Sequence, residues 1–296
     1  MKNLIVYIVS AMSLLTACDA LDITPSDSYS DPVVWQDQNL IKMFVNDQYG
    51  ALVGQDNFYR YSFFSDEVYQ KYNDEGCNYV RENILTSDNI GAVGEILHFW
   101  KAGYKYIHNT NTFFTNIETA KVDEDFKKTM IGEMKFIRAF IYFRLIRSYG
   151  GIPIIEDAYD INSDWSDVKR NTYDECVDYI IKDLNDVIAT LPDQPGERNR
   201  ASANAARALK SRVLLYSASA LNNPENKKEK WQLDSDAAKD LFDKGYALCD
   251  NYREMFLDVA NSEYIYAKEF SETYSHALGF NLACTGDGGR GWSTPS

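Results

Sequence analysis

From Phe126 to Leu145 apolar side chains return at steps of three and four, through Met130, Met134, Ile137 and Ile141, while Phe136, Phe140 and Phe143 mark a second apolar face on the same stretch. A helix with one apolar stripe covers a core, but a helix with two must touch neighbours on both sides. This stretch therefore commits the chain to stacked helices. Upstream, Ile96, Trp100, Tyr104, Ile107, Phe114 and Ile117 recur near the same spacing, and the charged run from Lys121 to Asp125 separates the two segments. Downstream, Tyr149-Gly150-Gly151-Ile152-Pro153 stops the helix, because glycine takes a capping conformation that other residues resist and proline cannot continue the helix.

Other helices carry their own punctuation. Thr172 and Glu175 form a capping-box pattern ahead of Tyr173, Val177, Ile180, Leu184 and Val187, with Leu191-Pro192 as the stop and 193–200 as a polar turn. A further helix spans about Ser202 to Ala220, rich in small residues at Ala203, Ala205, Ala206 and Ala208, with Leu209, Val213 and Tyr216 as its stripe. An early amphipathic helix is predicted between Trp35 and about Val53, with Leu40, Met43 or Phe44, and Tyr49 or Leu52 inward and Gly50 or Gly54 at its end. Asn222 to Trp231 reads as a charged loop, followed by a helix capped at Ser235 and running through Ala238, Leu241, Phe242, Tyr246 and Cys249. Ser262 to Phe270 alternates as a short strand does, and Thr285 to Ser296 is a glycine-rich loop. Helix pairs recurring at about 34 to 45 residues predict a mainly α fold of tetratricopeptide-like repeats, an α-α superhelix with long irregular loops and little strand.

The first residues set the compartment. Lys2 precedes an apolar run from Leu4 to Leu15, which ends in Leu15-Thr16-Ala17-Cys18. That is a secretory signal closed by a lipobox, predicting a lipoprotein signal peptide over 1–17 and lipid attachment at Cys18. The run is shorter than the about 20 residues that span a bilayer, so the expected outcome is attachment rather than insertion. Asp, Ser and Pro crowd 18–34 and suit a tether, leaving 35–284 as the helical domain and 285–296 as the start of a further part. A formal charge of −14 repels nucleic acid and anionic headgroups, leaving neutral ligands such as glycans open. Besides Cys18, Cys77, Cys176, Cys249 and Cys284 lack metal-ligand spacing. Cys176 and Cys249 fall on predicted helices as buried thiols, and a disulfide among the four stays open.

No catalytic constellation stands out. His98 and His108 are ten residues apart on a predicted helix, His276 is alone, and Asp66-Glu67, Asp74-Glu75 and Glu156-Asp157 are adjacent acids whose side chains diverge. Asp234, Asp236 and Asp240 lack the glycine-centred loop of a calcium site. No enzyme, cofactor or metal is expected. Arg138, among apolar neighbours, reads as a structural ion-pair member or a cap on a carbonyl. Binding has better candidates. Residues 55–89 show no helical period but hold eight aromatic rings, of which Tyr59, Tyr61 and Tyr72 are the ligand candidates, since tyrosines stack on sugar faces and hydrogen-bond hydroxyls. Trp292, in a glycine-rich loop, and Arg290 beside it are the others, with loop anchoring as the competing role for Trp292. Glycan capture leads, followed by a peptide- or protein-binding helical-repeat adaptor and then by a glycoside hydrolase, which needs two carboxyls at a set separation.

A family resemblance adds to this reading. Leu21-Asp22-Ile23-Thr24-Pro25 after the lipid cysteine, Trp100 with Tyr104, Ile107 and Asn111, and Gly132-Glu133-Met134-Lys135-Phe136-Ile137-Arg138-Ala139 leading to Tyr149-Gly150-Gly151-Ile152-Pro153 follow in order. Arg170-Asn171-Thr172-Tyr173, Asp183-Leu184 with Leu191-Pro192, Ala205-Ala206-Arg207-Ala208-Leu209-Lys210 and Gly291-Trp292-Ser293-Thr294-Pro295 complete the series. The chain resembles the SusD/RagB family of outer-membrane nutrient-binding lipoproteins. The resemblance implies tetratricopeptide-like repeats, glycan recognition without bond breaking, an irregular second part carrying most glycan contacts, and a TonB-dependent, SusC-like outer-membrane transporter as partner. It also implies a lipid anchor in the outer membrane with the protein facing the exterior. Members are far longer, so the chain is expected to be an N-terminal portion.

Overall fold

The structure is a computed structural model and describes residues 31–52, 68–70, 79–80, 82–91, 93, 98–160, 162–197, 199–258, 260–271 and 293–295. The chain is mainly α, as the periodicity predicts. After a single helical turn at Asp31–Val34, α1 (Gln38–Gln48) begins where Asp37 accepts hydrogen bonds from the backbone N–H groups of Asn39 and Leu40. Its inward face is Ile41, Val45 and Gln48, with Phe44 packed beside them. Met43 is exposed and Leu40 only half-buried, a correction to the expected stripe. The cap at Asp37 starts the helix after Trp35, whose ring instead fills the core against Phe44 and Phe113, at centroid distances of 5.2 and 6.0 Å. The helix ends before Gly50, in a 3₁₀ turn over Tyr49–Leu52.

The body follows as α2 (Trp100–Ile117), α3 (Glu124–Tyr149), α4 (Tyr173–Thr190), α5 (Ala203–Ala218) and α6 (Lys228–Lys239). Each packs on the next, and α3 also touches α1 and α5. This is the both-sided helix the sequence demanded: Met134, Ile137, Ile141 and Leu145 are fully buried on it, and Phe136 and Phe143 nearly so. Asp123 caps its start and Glu124 and Asp125 suit the positive end of its dipole. Gly150, at φ +72°, ends it. Gly151 is required for a different reason, since a Cβ there would lie 2.2 Å from the carbonyl oxygen of Asn171. The Thr172 and Glu175 box is present on α4 with both reciprocal hydrogen bonds, and Ser202 caps α5.

Two expectations fail in the last third. The helix there is α6, which starts eight residues earlier in the sequence than a Ser235 cap predicts; its N-cap is Lys227 and Ser235 lies inside it. Its approach is set by Asn223, whose side-chain oxygen accepts from the backbone N–H of Lys227 at 2.8 Å, and by Lys230, which reaches Asp174 at 2.6 Å. Leu241 to Cys249 is turn and extended chain, with Phe242 and Leu248 exposed, so Cys249 is a half-buried thiol off any helix, whereas Cys176 is buried as expected. Ser262 to Phe270 is not a strand. It has no strand beside it among the described residues and is fixed by Tyr266, whose ring packs on Phe136 at 5.6 Å. The strands that do form, β1 (Val68–Gln70) and β2 (Ser293–Pro295), pair antiparallel, the first in the aromatic stretch without helical period and the second in the segment read as glycine-rich loop. Among the described residues no helix is long and apolar enough to cross a membrane.

Candidate functional site

Two buried polar clusters tie the helices together. Arg138 on α3 grips Asp183 on α4 through two hydrogen bonds of 2.8 and 2.9 Å, with its guanidinium 4.4 Å from the Phe114 ring centroid on α2. Burial alone would pull the Arg138 pKa down, but the Asp183 carboxylate more than offsets this and holds it above its ordinary value. The ion-pair role expected of Arg138 is the one observed. In the second cluster Glu133 is bound by Arg200 (Nη2 to Oε2 2.5 Å) and by the Tyr49 hydroxyl (3.0 Å), which itself accepts the Ala201 N–H at 2.8 Å. Burial pushes the Glu133 carboxyl up and the Arg200 charge draws it back. Two concavities of about 340 and 260 Å³ flank Arg200, but its guanidinium is already committed to Glu133 and Asn46. This cluster binds the protein to itself.

The third concavity differs. A cleft of about 250 Å³ opens between the first two turns of α2 and the loop that joins α3 to α4. Trp100 and Tyr104 form one wall, 4.8 Å apart between centroids, with Trp100 set edge-on to Tyr149 at 5.1 Å. Tyr159 and Trp165 form the other, 4.7 Å apart, and Trp165 is half exposed. His108 and Asp157 supply polar groups and both are exposed. The loop wall is held from beneath. The Tyr104 hydroxyl donates to the Pro153 carbonyl at 2.8 Å, the Tyr142 hydroxyl accepts the Ile155 N–H at 2.9 Å, and Asn111 donates to the carbonyls of Ile155 and Asp157 at 2.8 and 3.0 Å. Burial raises the pKa of both tyrosines, so both hydroxyls stay protonated throughout the neutral range. A cleft with fixed walls loses little ordering entropy on filling.

The residues singled out from the sequence, Cys18, Tyr59, Tyr61, Tyr72, Arg290 and Trp292, lie outside the described residues, as do Cys77 and Cys284. The aromatic cleft was missed, although the signal was present: Tyr159 and Trp165 are large rings in a polar loop, the same pattern that drew attention to residues 55–89. Among the described residues no group of three or more His, Cys, Asp or Glu side chains is placed to hold a metal ion.

Comparison with known proteins decides the family. A SusD-like family model, described as starch-binding and associating with the outer membrane, matches residues 19–215. The chain belongs to the SusD-like family. A SusD-like protein P2 of Formosa agariphila is 29% identical over 133 residues, which is 45% of this chain and 26% of that protein. The crystal structure of a SusD-like protein from Bacteroides fragilis superposes with a TM-score of 0.73 at 25% identity, covering 92% of this chain and 54% of the other. A laminarin-binding SusD-like protein shares the fold at a TM-score of 0.62 and 22% identity, over 78% of this chain and 51% of its own. The SusD-like chain described here therefore matches about half, or less, of the length of these relatives.

Proposed function

We propose that this chain is the helical part of a cell-surface glycan-binding lipoprotein, anchored in the outer membrane through Cys18 and facing the exterior, which captures oligosaccharide or polysaccharide and passes it to a TonB-dependent, SusC-like transporter. The observation that carries this reading is the match of residues 19–215 to a family described by starch binding and outer-membrane association. That a protein of the same fold binds laminarin supports a glycan as the ligand. Charge supports it as well, because a chain at −14 favours neutral ligands over polyanions. Its chemistry is recognition: Glu133, the buried carboxyl whose pKa is raised, is held by Arg200 and Tyr49 rather than free to serve as an acid.

Retention of the purified chain on soluble starch and laminarin in affinity electrophoresis tests the binding step. Retardation on at least one neutral glycan, with none on a peptide library, is the expected result. Migration unchanged on every glycan, with saturable peptide binding instead, would transfer the protein to the adaptor reading. Cys18→Ser should move the protein from the membrane pellet to the soluble fraction, and co-purification of a TonB-dependent barrel with the lipidated form tests the partner.

A further inference from the structure

We propose that the aromatic cleft between α2 and the α3–α4 loop is a sugar seat, taking one uncharged pyranose ring of the glycan between Trp165 and Trp100. The inference rests on the glycan-capture reading and adds to it a place and a ligand charge. Four aromatic rings, Trp100, Tyr104, Tyr159 and Trp165, line the cleft, against Tyr264 and Tyr266 in one concavity beside Arg200 and Phe126 in the other. The axial C–H faces of a pyranose present an apolar surface that an aromatic face covers, while the ring edge keeps its hydroxyls for hydrogen bonds. Trp165 is 50% exposed with no described hydrogen bond on its indole, a large apolar area left in water at the mouth of a concavity. Its partner Tyr159 lies at 4.7 Å and 37°, a ring contact that steadies the indole.

Size and charge narrow the ligand. At about 250 Å³ the cleft falls below the about 300–1,000 Å³ that encloses a drug-sized molecule, which suits one ring with its neighbours outside rather than a buried chain. Asp157, exposed at the rim, can accept hydrogen bonds from sugar hydroxyls, and His108 across the cleft can donate or accept. The same carboxylate, in a chain of charge −14, repels a uronate or a sulfated sugar. The start of the loop is held in place beneath the cleft, because the hydroxyls of Tyr104 and Tyr142 and the amide of Asn111 already engage the carbonyls of Pro153 and Ile155.

Calorimetric titration of the whole chain with maltotriose, laminaritriose and trigalacturonic acid tests the seat, alongside Trp165→Ala, Asp157→Asn and, as a remote exposed-tryptophan control, Trp231→Ala. Parent and control should bind a neutral trisaccharide with the same affinity. Trp165→Ala should weaken it about tenfold, the loss of one stacked face, and trigalacturonic acid should bind at least about tenfold more weakly to the parent, with Asp157→Asn narrowing that gap. Unchanged thermal unfolding of Trp165→Ala confirms an intact fold. Full affinity in Trp165→Ala, with the parent binding normally, overturns the seat and leaves glycan capture standing elsewhere on the protein. Absence of binding by the parent to both neutral sugars, with no retention on starch or laminarin, overturns capture and the seat together.

Discussion

At the scale of single residues, the Arg138 to Asp183 contact is the most consequential pair in the core. Both partners are almost fully buried, so removing one leaves a charge without water or counter-ion. Asp183→Ala should cost about 3–5 kcal/mol in urea denaturation. The double variant Arg138→Met with Asp183→Leu should recover most of that loss, because an apolar pair of similar volume carries no desolvation penalty. Recovery of nothing would mean that the pair also sets the register between α3 and α4. Gly151→Ala acts through the backbone: its new Cβ would meet the Asn171 carbonyl, which cannot swing aside as a side chain can. A loss of about 1–3 kcal/mol is expected, the range for overpacking.

At the scale of the element, α4 depends on its capping box. Thr172→Ala should destabilise by about 1 kcal/mol. Glu175 is exposed and accepts from the Thr172 backbone N–H and hydroxyl, which hold its carboxyl below the usual glutamate range. With the folded value lower than the unfolded one, Glu175 contributes stability above its ordinary pKa and loses it as pH falls through the lowered value. The gap in melting temperature between the parent and Glu175→Gln should therefore be present at pH 7 and close on acidification. Glu133 runs the other way. Burial raises its folded value, so its contribution is greatest below the unfolded pKa and fades as pH rises. The sequence made α4 legible because cap, stripe and stop agree there. It misled at α6, where Leu241 and Phe242 continue an apparent stripe but Leu241 is only half-buried and Phe242 exposed, while the Asn223 turn that launches the helix leaves no periodic signature. The aromatic cleft was hidden for a related reason. Its walls, Trp100 and Trp165, come from separate segments joined only by packing, and no spacing rule along the chain links them.

At the scale of the whole molecule, apolar side chains collect on the surface late in the chain, where Phe242, Leu248, Tyr252, Phe256 and Leu257 are all more than half exposed. Such exposure favours association, so sedimentation velocity should show concentration-dependent self-association that Phe242→Ser with Leu248→Ser reduces. The position of α3 has a different consequence. In an ideal helical array each unit touches only its neighbours, and the array frays from either end like a one-dimensional chain. Here α3 reaches past its neighbours to α1 and α5, which removes that freedom from the first five helices. They should exchange their amide hydrogens as one cooperative block, while α6, which leans chiefly on α5, opens earlier and alone. A molecule built this way can loosen α6 without disturbing the cleft, to which α6 contributes no residue.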